Sequence, residues 1–276
     1  MEDKPIINIK SGIASYLIRH PIWVIAPFGI FVALSWMIIF LVPSGDPGNK
    51  IGVAVFLLFL AVATPISVAK NKVEDEFMRQ FAEANNYQFS ATGNSAEFDG
   101  SIFHQVGNSG KVTDVIRATY LGCPVVLLRY RFFREKATQE YIVLRLQFDT
   151  DMPDLFLQPA ILPGNPFLSK TYNDGVEHVR LEGDFSKVFS LDIQKGYEVE
   201  ALEVFAPNVM EYLINNCKNF SIEILNNHLY VYDGQALDTE AKLNALYDTS
   251  RYFVQTLGPV LARMKAAKDR EDIVAN

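Results

Sequence analysis

The sequence predicts an α+β protein in which an N-terminal transmembrane helical hairpin is followed by a mainly antiparallel-sheet cytoplasmic domain with a long C-terminal helix. Two runs without Asp, Glu, Lys or Arg, residues 22–42 and 51–69, predict the hairpin. Three runs rich in β-branched and aromatic residues between 112 and 149 predict the sheet. Apolar residues at three- and four-residue steps from 238 to about 268 predict the helix. These observations exclude a wholly soluble protein, a collagen-like or low-complexity chain, and a multi-span transporter.

The two charge-free runs have the length of membrane spans. At 1.5 Å per residue they would form helices of roughly 31 and 28 Å, close to the roughly 30 Å of a hydrocarbon core. The residues between them, 43–50, are rich in Pro, Gly, Ser and Asn, which predicts a tight turn between antiparallel helices. We therefore divide the chain into a cytoplasmic N-terminal segment (1–20), a transmembrane hairpin (21–70) and a cytoplasmic α+β domain (71–276).

The distribution of basic residues predicts the orientation of the hairpin. Cations flank its two outer ends, whereas the turn between the runs holds only Lys50. Positive charge is enriched on the cytoplasmic side of membrane spans. Both termini should therefore be cytoplasmic, in a multi-pass protein of the cell (plasma) membrane. The flanking cations are Lys4, Lys10 and Arg19 before the first run, and Lys70, Lys72 and Arg79 after the second.

The predicted domain is acidic. Residues 75–276 carry 19 Lys plus Arg against 28 Asp plus Glu, while the net charge of the whole chain is −7. An acidic surface repels polyanions, so we expect no nucleic-acid partner. Cys123 and Cys217 lie in apolar surroundings and form no Cys-x-x-Cys pair, which is typical of small core residues in a reducing compartment.

The first half of the domain is predicted to hold a helix and then a meander of strands. Val73, Phe77 and Phe81 recur every four residues among charged residues, which predicts an amphipathic helix ending near residues 85–86. Three strand-like runs follow, and the turns between them are short enough for antiparallel neighbours. These runs are Val112 to Tyr120, Pro124 to Arg134 and Gln139 to Asp149.

Arginines alternate with apolar residues in these strands. If the strand registers align the apolar faces, Arg117, Arg129, Arg131 and Arg145 gather on the outer face of the sheet. One hypothesis is an anion-facing surface that meets phospholipid headgroups or an acidic partner. The alternative is a solvated face that is balanced by nearby carboxylates or covered by a helix whose acids pair with it.

The second half of the domain is predicted to alternate strands and helices. Two strand-like pieces surround Gly183-Asp184, and YEVEALEVF, residues 197–205, alternates like a third strand. Pro207 suits the first turn of a helix. Asn226-Asn227 can take the positive φ of a hairpin turn, and Gly258-Pro259 should kink the long C-terminal helix.

The second half also contains several distinctive short stretches. They are Leu181-Glu182-Gly183-Asp184-Phe185 with Phe189, Glu200-Ala201-Leu202, Phe205-Ala206-Pro207 with Met210, Glu223-Ile224 and Leu229-Tyr230-Val231-Tyr232. These stretches resemble a group of uncharacterised bacterial membrane proteins, in which a two-helix anchor precedes a cytoplasmic domain of unknown function. The resemblance implies a bacterial origin, a plasma-membrane location and an α+β domain, and it supplies no catalytic residue.

The sequence contains no motif that assigns a reaction. None of the four histidines has a second His or Cys at ligand spacing, and no nucleophile elbow or metal-binding box is present. We therefore assign no catalytic, cofactor-binding or metal-binding residue and expect no cofactor. This pattern favours a non-enzymatic protein but leaves enzymatic activity open.

Three functions fit these observations. The first is a membrane-anchored binding or scaffold module at the cytoplasmic membrane face, with the lipid bilayer contacted through two spans and with a protein or anionic-lipid partner. The second is an enzyme whose site is assembled from scattered residues. The third is a homo-oligomeric structural element that associates through the hairpin or the terminal helix.

Overall fold

Helices form one unit of the chain and a large sheet forms the other. The division falls between residues 8–81 and a unit that comprises residues 1–7 with 82–276. The computed structural model describes residues 5, 18, 21–41, 47–104, 110–134, 137–160, 175–181, 183–234 and 240–275. Most of the N-terminal segment predicted for residues 1–20 therefore lies outside the described residues.

Two long helices run through the described residues of the helical unit, α1 (Ile22–Leu41) and α2 (Pro47–Ala84). Helix α2 is 38 residues long, so the apolar run and the amphipathic stretch after it form one uninterrupted helix. It ends where Asn86 adopts a φ of 56°, the left-handed conformation that commonly follows a helix C-terminus.

The predicted transmembrane hairpin is wrong. In the part of the chain that the structure describes, no helix combines the length and the apolar character that crossing a bilayer requires. Run 51–69 is only part of α2, which continues through charged residues, and residues 22–41 of the other run form α1, which contains Pro27. The finding contradicts the two predicted spans and the multi-pass plasma-membrane location. It also removes the basis for the predicted orientation.

The second unit is built on an antiparallel sheet that has nine strands among the described residues, in the order β1-β2-β3-β4-β9-β8-β5-β7-β6. The meander β1 to β4 forms one half, and the later strands extend it through the pairing of β4 with β9. The strands are β1 (Gln88–Gly93), β2 (Lys111–Tyr120), β3 (Cys123–Arg134), β4 (Ala137–Gln147), β5 (Leu155–Pro159), β6 (Val176–Val179), β7 (Phe189–Gln194), β8 (Ser221–Leu225) and β9 (His228–Asp233).

The helices of this unit lie in its second half. Helix α6 contacts β9, and α4 contacts both β6 and β7. Tyr247 of α6 meets Tyr120 of β2 edge-on, with ring centroids 5.0 Å apart. We call the sheet face that bears Tyr120 the helix face. The helices are α3 (Phe185–Val188), α4 (Glu198–Val204), α5 (Pro207–Asn216), α6 (Glu240–Tyr252) and α7 (Gly258–Ala275), with a π-helical turn, Phe253–Leu257, between the last two.

The opposite face of the sheet is covered by residues 94–104, which we call the strap. The strap contains two short 3-10 helices, Ser95–Glu97 and Ser101–His104. Its apolar side chains, Phe98, Ile102 and Phe103, are buried in one cluster with residues of β2, β3, β4 and β9. We call this face the strap face.

One predicted strand is a helix. Residues 197–205 were predicted as a strand because apolar and polar residues alternate, but the structure places α4 there. Tyr197, Ala201, Val204 and Phe205 are buried, and their spacing of about four residues is helical. Glu, Ala and Leu also favour helix over strand, and a seven-residue alternation was too short to outweigh that preference.

Candidate functional site

The strap approaches the sheet so closely that one position excludes any side chain. A Cβ atom on Gly100 would lie 2.7 Å from the Tyr232 hydroxyl and 3.1 Å from the Tyr230 ring. Phe103 packs on Tyr130 with ring centroids 4.7 Å apart and on Phe98 at 5.1 Å. Only glycine lets the backbone come this near, so the strap brings its polar groups into contact with the sheet.

A carboxylate of the sheet holds the strap. Glu223 of β8 is 1% exposed and accepts hydrogen bonds from the Ser101 backbone N–H, at 3.0 and 3.1 Å to its two oxygens. The Ser101 hydroxyl donates to the same carboxylate at 3.0 Å, and Tyr232 donates its hydroxyl from β9. Glu223 therefore links the strap to two strands of the sheet.

A carboxylate of the strap is held by the sheet in return. Asp99 accepts a hydrogen bond from the Tyr230 hydroxyl at 2.5 Å and contacts Nδ1 of His228 at 3.0 Å. Both partners belong to β9, next to the strand that carries Glu223. The strap and the sheet thus each contribute one carboxylate that is hydrogen-bonded by the other part. The tyrosine–carboxylate cluster is our name for these residues: Asp99, Ser101, Glu223, His228, Tyr230 and Tyr232.

The two carboxyl groups of this cluster have pKa values that move in opposite directions. Burial raises the pKa of Glu223 to about 7, although the hydrogen bonds from Tyr232 and Ser101 lower it. Burial also favours a higher pKa for Asp99, but the hydrogen bonds from His228 and Tyr230 outweigh it, and the pKa of Asp99 lies well below its usual value. Burial and then Asp99 raise the pKa of Tyr230, which keeps that phenol a hydrogen-bond donor.

Four arginines were predicted to gather on one outer face of the sheet, and two of them lie at the margin of this cluster. Arg145 donates to the Glu97 carbonyl at 3.2 Å, and its guanidinium lies 5.0 Å from the centre of the Phe98 ring. Arg117 pairs with the Glu97 carboxylate at 2.6 Å. Both side chains therefore bind strap residues, and the Arg117–Glu97 pair remains substantially exposed.

The other two arginines lie on the helix face. Arg129 is 1% exposed, and its Nε lies 3.4 Å from Asp114 and 3.5 Å from Glu140. Arg131 forms an ion pair with the same Glu140. This group of two cations and two anions compensates its own charge, as burial of ionised side chains requires.

Strand register divides the four arginines between the two faces. The pairing of β3 with β4 sets Arg145 beside Val126 on the strap face, opposite to the face of Arg129, and a β-bulge in β2 decides the face of Arg117. The pairing of β2 with β3 shifts by one residue between Thr113 and Ile116, and Asp114 at that point has a φ of 52°. The extra residue changes which side chains of β2 face the strap. As a result Arg117 faces the strap while Asp114 meets Arg129 on the helix face. The strands are also apolar on both faces, so alternation alone did not identify an outer face.

The residues that form the tyrosine–carboxylate cluster were not predicted as a site. One signal was present in the sequence, because Glu223 is a lone acid among apolar residues in a strand buried along its whole length. A second signal was the alternation of Tyr230 and Tyr232 on the strand that follows it. The contact with Asp99 joins residues more than 120 positions apart, which a single sequence does not reveal.

Outside the tyrosine–carboxylate cluster, the sheet unit has smaller groups of polar side chains. His178 of β6 lies 3.2 Å from Asp192 of β7, and burial raises the pKa of that aspartate. A shallow depression of about 570 Å³ is lined by Arg180, Leu181, Gly183, Ser186 and Lys187. Lys187 is already paired with Asp184 at 2.6 Å. Within the described ranges, no three His, Cys, Asp or Glu side chains cluster as metal ligands.

These features define a class of fold, an antiparallel sheet whose two faces carry a strap and a set of helices. No family model matches the sequence, and no curated protein matches it. Among solved structures, the fold is similar to the crystal structure of the mycobacterial trehalose monomycolate transport factor A, TtfA. The similarity covers 68% of this chain and 96% of that chain, with a TM-score of 0.51 and 12% sequence identity. At this identity the likeness is one of fold.

Proposed function

We propose that this protein is a non-enzymatic accessory module that binds a partner protein through the apolar surface of its helical unit. The observation that carries the proposal is the exposure of large apolar side chains on α1 and α2. Ile30 is 59% exposed and Phe59 is 66% exposed. Exposed apolar surfaces of this extent mark interaction sites in proteins.

The distribution of side chains in this unit supports an apolar partner. Ser35 and Ala61, two small residues, are buried, whereas twelve large apolar residues between 22 and 66 are exposed. Gly29 and Gly52 also have open space around them. A partner helix can approach closely beside such small residues. The exposed residues are Ile22, Ile25, Phe28, Ile30, Leu34, Trp36, Met37, Val53, Val55, Phe56, Phe59 and Ile66.

The fold supports the accessory character of this proposal. The structural neighbour is described as a transport factor, which is a role in transport and not the name of a reaction. In the sheet unit, the polar groups of the tyrosine–carboxylate cluster are used to hold the strap, so their contacts serve architecture. We therefore propose that the sheet unit supplies a stable framework and that the helical unit carries the binding surface.

Photo-crosslinking from defined positions tests this proposal. A photoreactive phenylalanine analogue at Ile30 or Phe56 of the full chain should crosslink to an apolar helix of one partner protein in the native cell. The same analogue at Phe133, which is 65% exposed on β3, provides a matched control and should not capture that partner. Adducts formed only with lipid, or only with a second copy of this chain, would overturn the proposal.

A substitution experiment separates binding from folding. We expect Ile30→Ser to reduce recovery of the crosslinked partner at least about tenfold, because an apolar contact in an interface centre is replaced by a polar group. The control Phe133→Ser should leave recovery unchanged. Equal recovery with both variants would show that α1 does not contribute the binding surface.

A further inference from the structure

We propose that the strap is a proton-linked device whose closed form holds Asp99 ionised and Glu223 protonated. The proposal is based on the reciprocal contacts between strap and sheet. Glu223 of the sheet accepts hydrogen bonds from Ser101 of the strap, and Asp99 of the strap contacts Tyr230 and His228 of the sheet. Opening the strap would free both groups at once and would uncover the aromatic side chains beneath it. The state of protonation therefore controls access to this sheet face.

The contacts of Glu223 accommodate its neutral form. A protonated carboxyl group can accept from the Ser101 backbone N–H through its carbonyl oxygen and donate its proton to a hydroxyl. The hydroxyls of Ser101 and Tyr232 both lie on this carboxyl group and can rotate to accept that proton. All of its contacts are therefore kept without a charge in the buried site.

The contacts of Asp99 suit the opposite state. Its oxygens receive the Tyr230 hydroxyl and face the Nδ1 atom of His228, and both groups are donors to an ionised carboxylate. The titratable groups that surround the pair come from every element packed there. They are Glu97, Asp99 and His104 on the strap, Arg117 on β2, Tyr130 on β3, Arg145 on β4, Asp154 before β5, Asp192 on β7, and His228, Tyr230 and Tyr232 on β9.

The direction of the response follows from proton linkage. In the open form Glu223 meets water and takes its ordinary pKa near 4.5, whereas in the closed form its pKa is about 7. Between these values, opening releases one proton, so rising pH favours the open form by up to about tenfold per pH unit. The lowered pKa of Asp99 acts in the other direction, because acid that protonates Asp99 removes its stabilising contacts. The closed form is thus most stable near about pH 4, and it loses stability as the pH rises to about 7.

Hydrogen exchange of the full-length protein tests the proposal. Amide protection of residues 98–104, corrected for the intrinsic pH dependence of exchange, should fall between pH 5 and pH 7 by up to about tenfold per pH unit and then level off. In Glu223→Gln, whose side chain mimics the neutral acid, this dependence should disappear. The control Glu177→Gln changes an exposed glutamate of β6 and should retain it. A flat profile for the natural sequence, or an unchanged slope in Glu223→Gln, would overturn the proposal.

A second variant keeps the test decisive if Glu223→Gln fails to fold. Tyr232→Phe removes one hydroxyl that stabilises ionised Glu223 and leaves the backbone contact of Ser101 in place. The pH at which protection levels off should therefore rise in this variant. A fall, or no change, would contradict a closed form that contains protonated Glu223.

Discussion

Arg129 shows how a single buried charge depends on its neighbours. Its side chain is 1% exposed and lies between Asp114 and Glu140 on the helix face. We expect Arg129→Met to lower the free energy of unfolding by about 3–5 kcal/mol, because the buried Asp114 would lose this cation and Glu140 would keep only Arg131. Denaturant unfolding monitored by circular dichroism measures this change. The matched variant Arg117→Met removes an exposed ion pair and should cost less than about 1 kcal/mol. Equal losses in the two variants would contradict the distinction.

Gly100 is the position where the strap tolerates no additional atom. We expect Gly100→Ala to destabilise the protein by about 1–3 kcal/mol, because the new methyl group would lie 2.7 Å from the Tyr232 hydroxyl. Gly175→Ala provides the control, since no atom lies within 4 Å of the corresponding Cβ position. Thermal unfolding of both variants checks the prediction, and a stable Gly100→Ala protein would show that the strap can move away at little cost.

The two cysteines should differ in reactivity. Burial raises the pKa of the Cys217 thiol to about 11, although a contact with Thr249 lowers it, while Cys123 is only partly buried. Since the thiolate is the reactive form, iodoacetamide at pH 8 should modify Cys123 and leave Cys217 intact in the folded protein. Peptide mass spectrometry after a timed reaction gives the ratio. Modification of Cys217 at the rate seen in denaturant would contradict its burial.

At the scale of elements, two substitutions in α4 test whether residues 197–205 form a helix and not the predicted strand. Val204 is 5% exposed and Leu202 is 54% exposed, an arrangement that follows from a helix. Val204→Ala should cost about 1–3 kcal/mol of unfolding free energy, because it leaves a cavity. Leu202→Ala should be nearly neutral, although leucine is the larger side chain. The reverse order in a denaturation experiment would favour a strand at this position.

The strands that could be predicted from the sequence are those with local partners. β2, β3 and β4 agree with the predicted runs to within two residues at each end, because β-branched residues and short turns mark them clearly. The hairpin of β8 and β9 was predicted as well, and Asn226 in its turn has a φ of 54°. Gly258-Pro259 was expected to kink the last helix, and the irregularity falls just before it as a π-helical turn. Local sequence specifies these elements, so a pattern of a few residues was sufficient.

Features that depend on distant contacts could not be predicted in the same way. The bulge at Asp114 changes which side chains of β2 point to each face of the sheet. No residue within two positions of Asp114 is a glycine that would signal the bulge. The cluster around Glu223 joins the strap to strands more than 120 residues later. The two spans were predicted wrongly from uncharged length, since no helix in the described part of the chain has the length and apolar character needed to cross a membrane.

At the scale of the whole molecule, the pH dependence of stability should have a definite sign. Burial raises the pKa values of Glu223, Asp154 and Asp192, so each of these groups binds its proton more tightly in the folded protein than in the unfolded chain. Their contribution to stability is complete below pH 4 and is lost as the pH rises through their folded pKa values, near 7 for Glu223. We expect the free energy of unfolding to decrease from about pH 5 to pH 7.5.

Chemical denaturation at a series of pH values measures this dependence. The Glu223→Gln variant should show a shallower decrease, since its unfolding releases one proton fewer in this range than unfolding of the natural sequence does. The net charge of −7 acts in the same direction, because self-repulsion grows as the remaining carboxyl groups ionise. Stability that rises steadily across this range would contradict both contributions.

The order of strands also has a consequence for how the protein is made. β4 obtains its second neighbour only from β9, and the pairs Ile142 with Asp233 and Leu146 with Leu229 join residues that a ribosome adds far apart in time. At about 5–20 residues per second, several seconds pass between the synthesis of these two strands. During that interval the edge of the nascent meander has no strand beside it. Chaperones that shield exposed edges on the ribosome should therefore influence the yield of this protein more than its final stability would indicate.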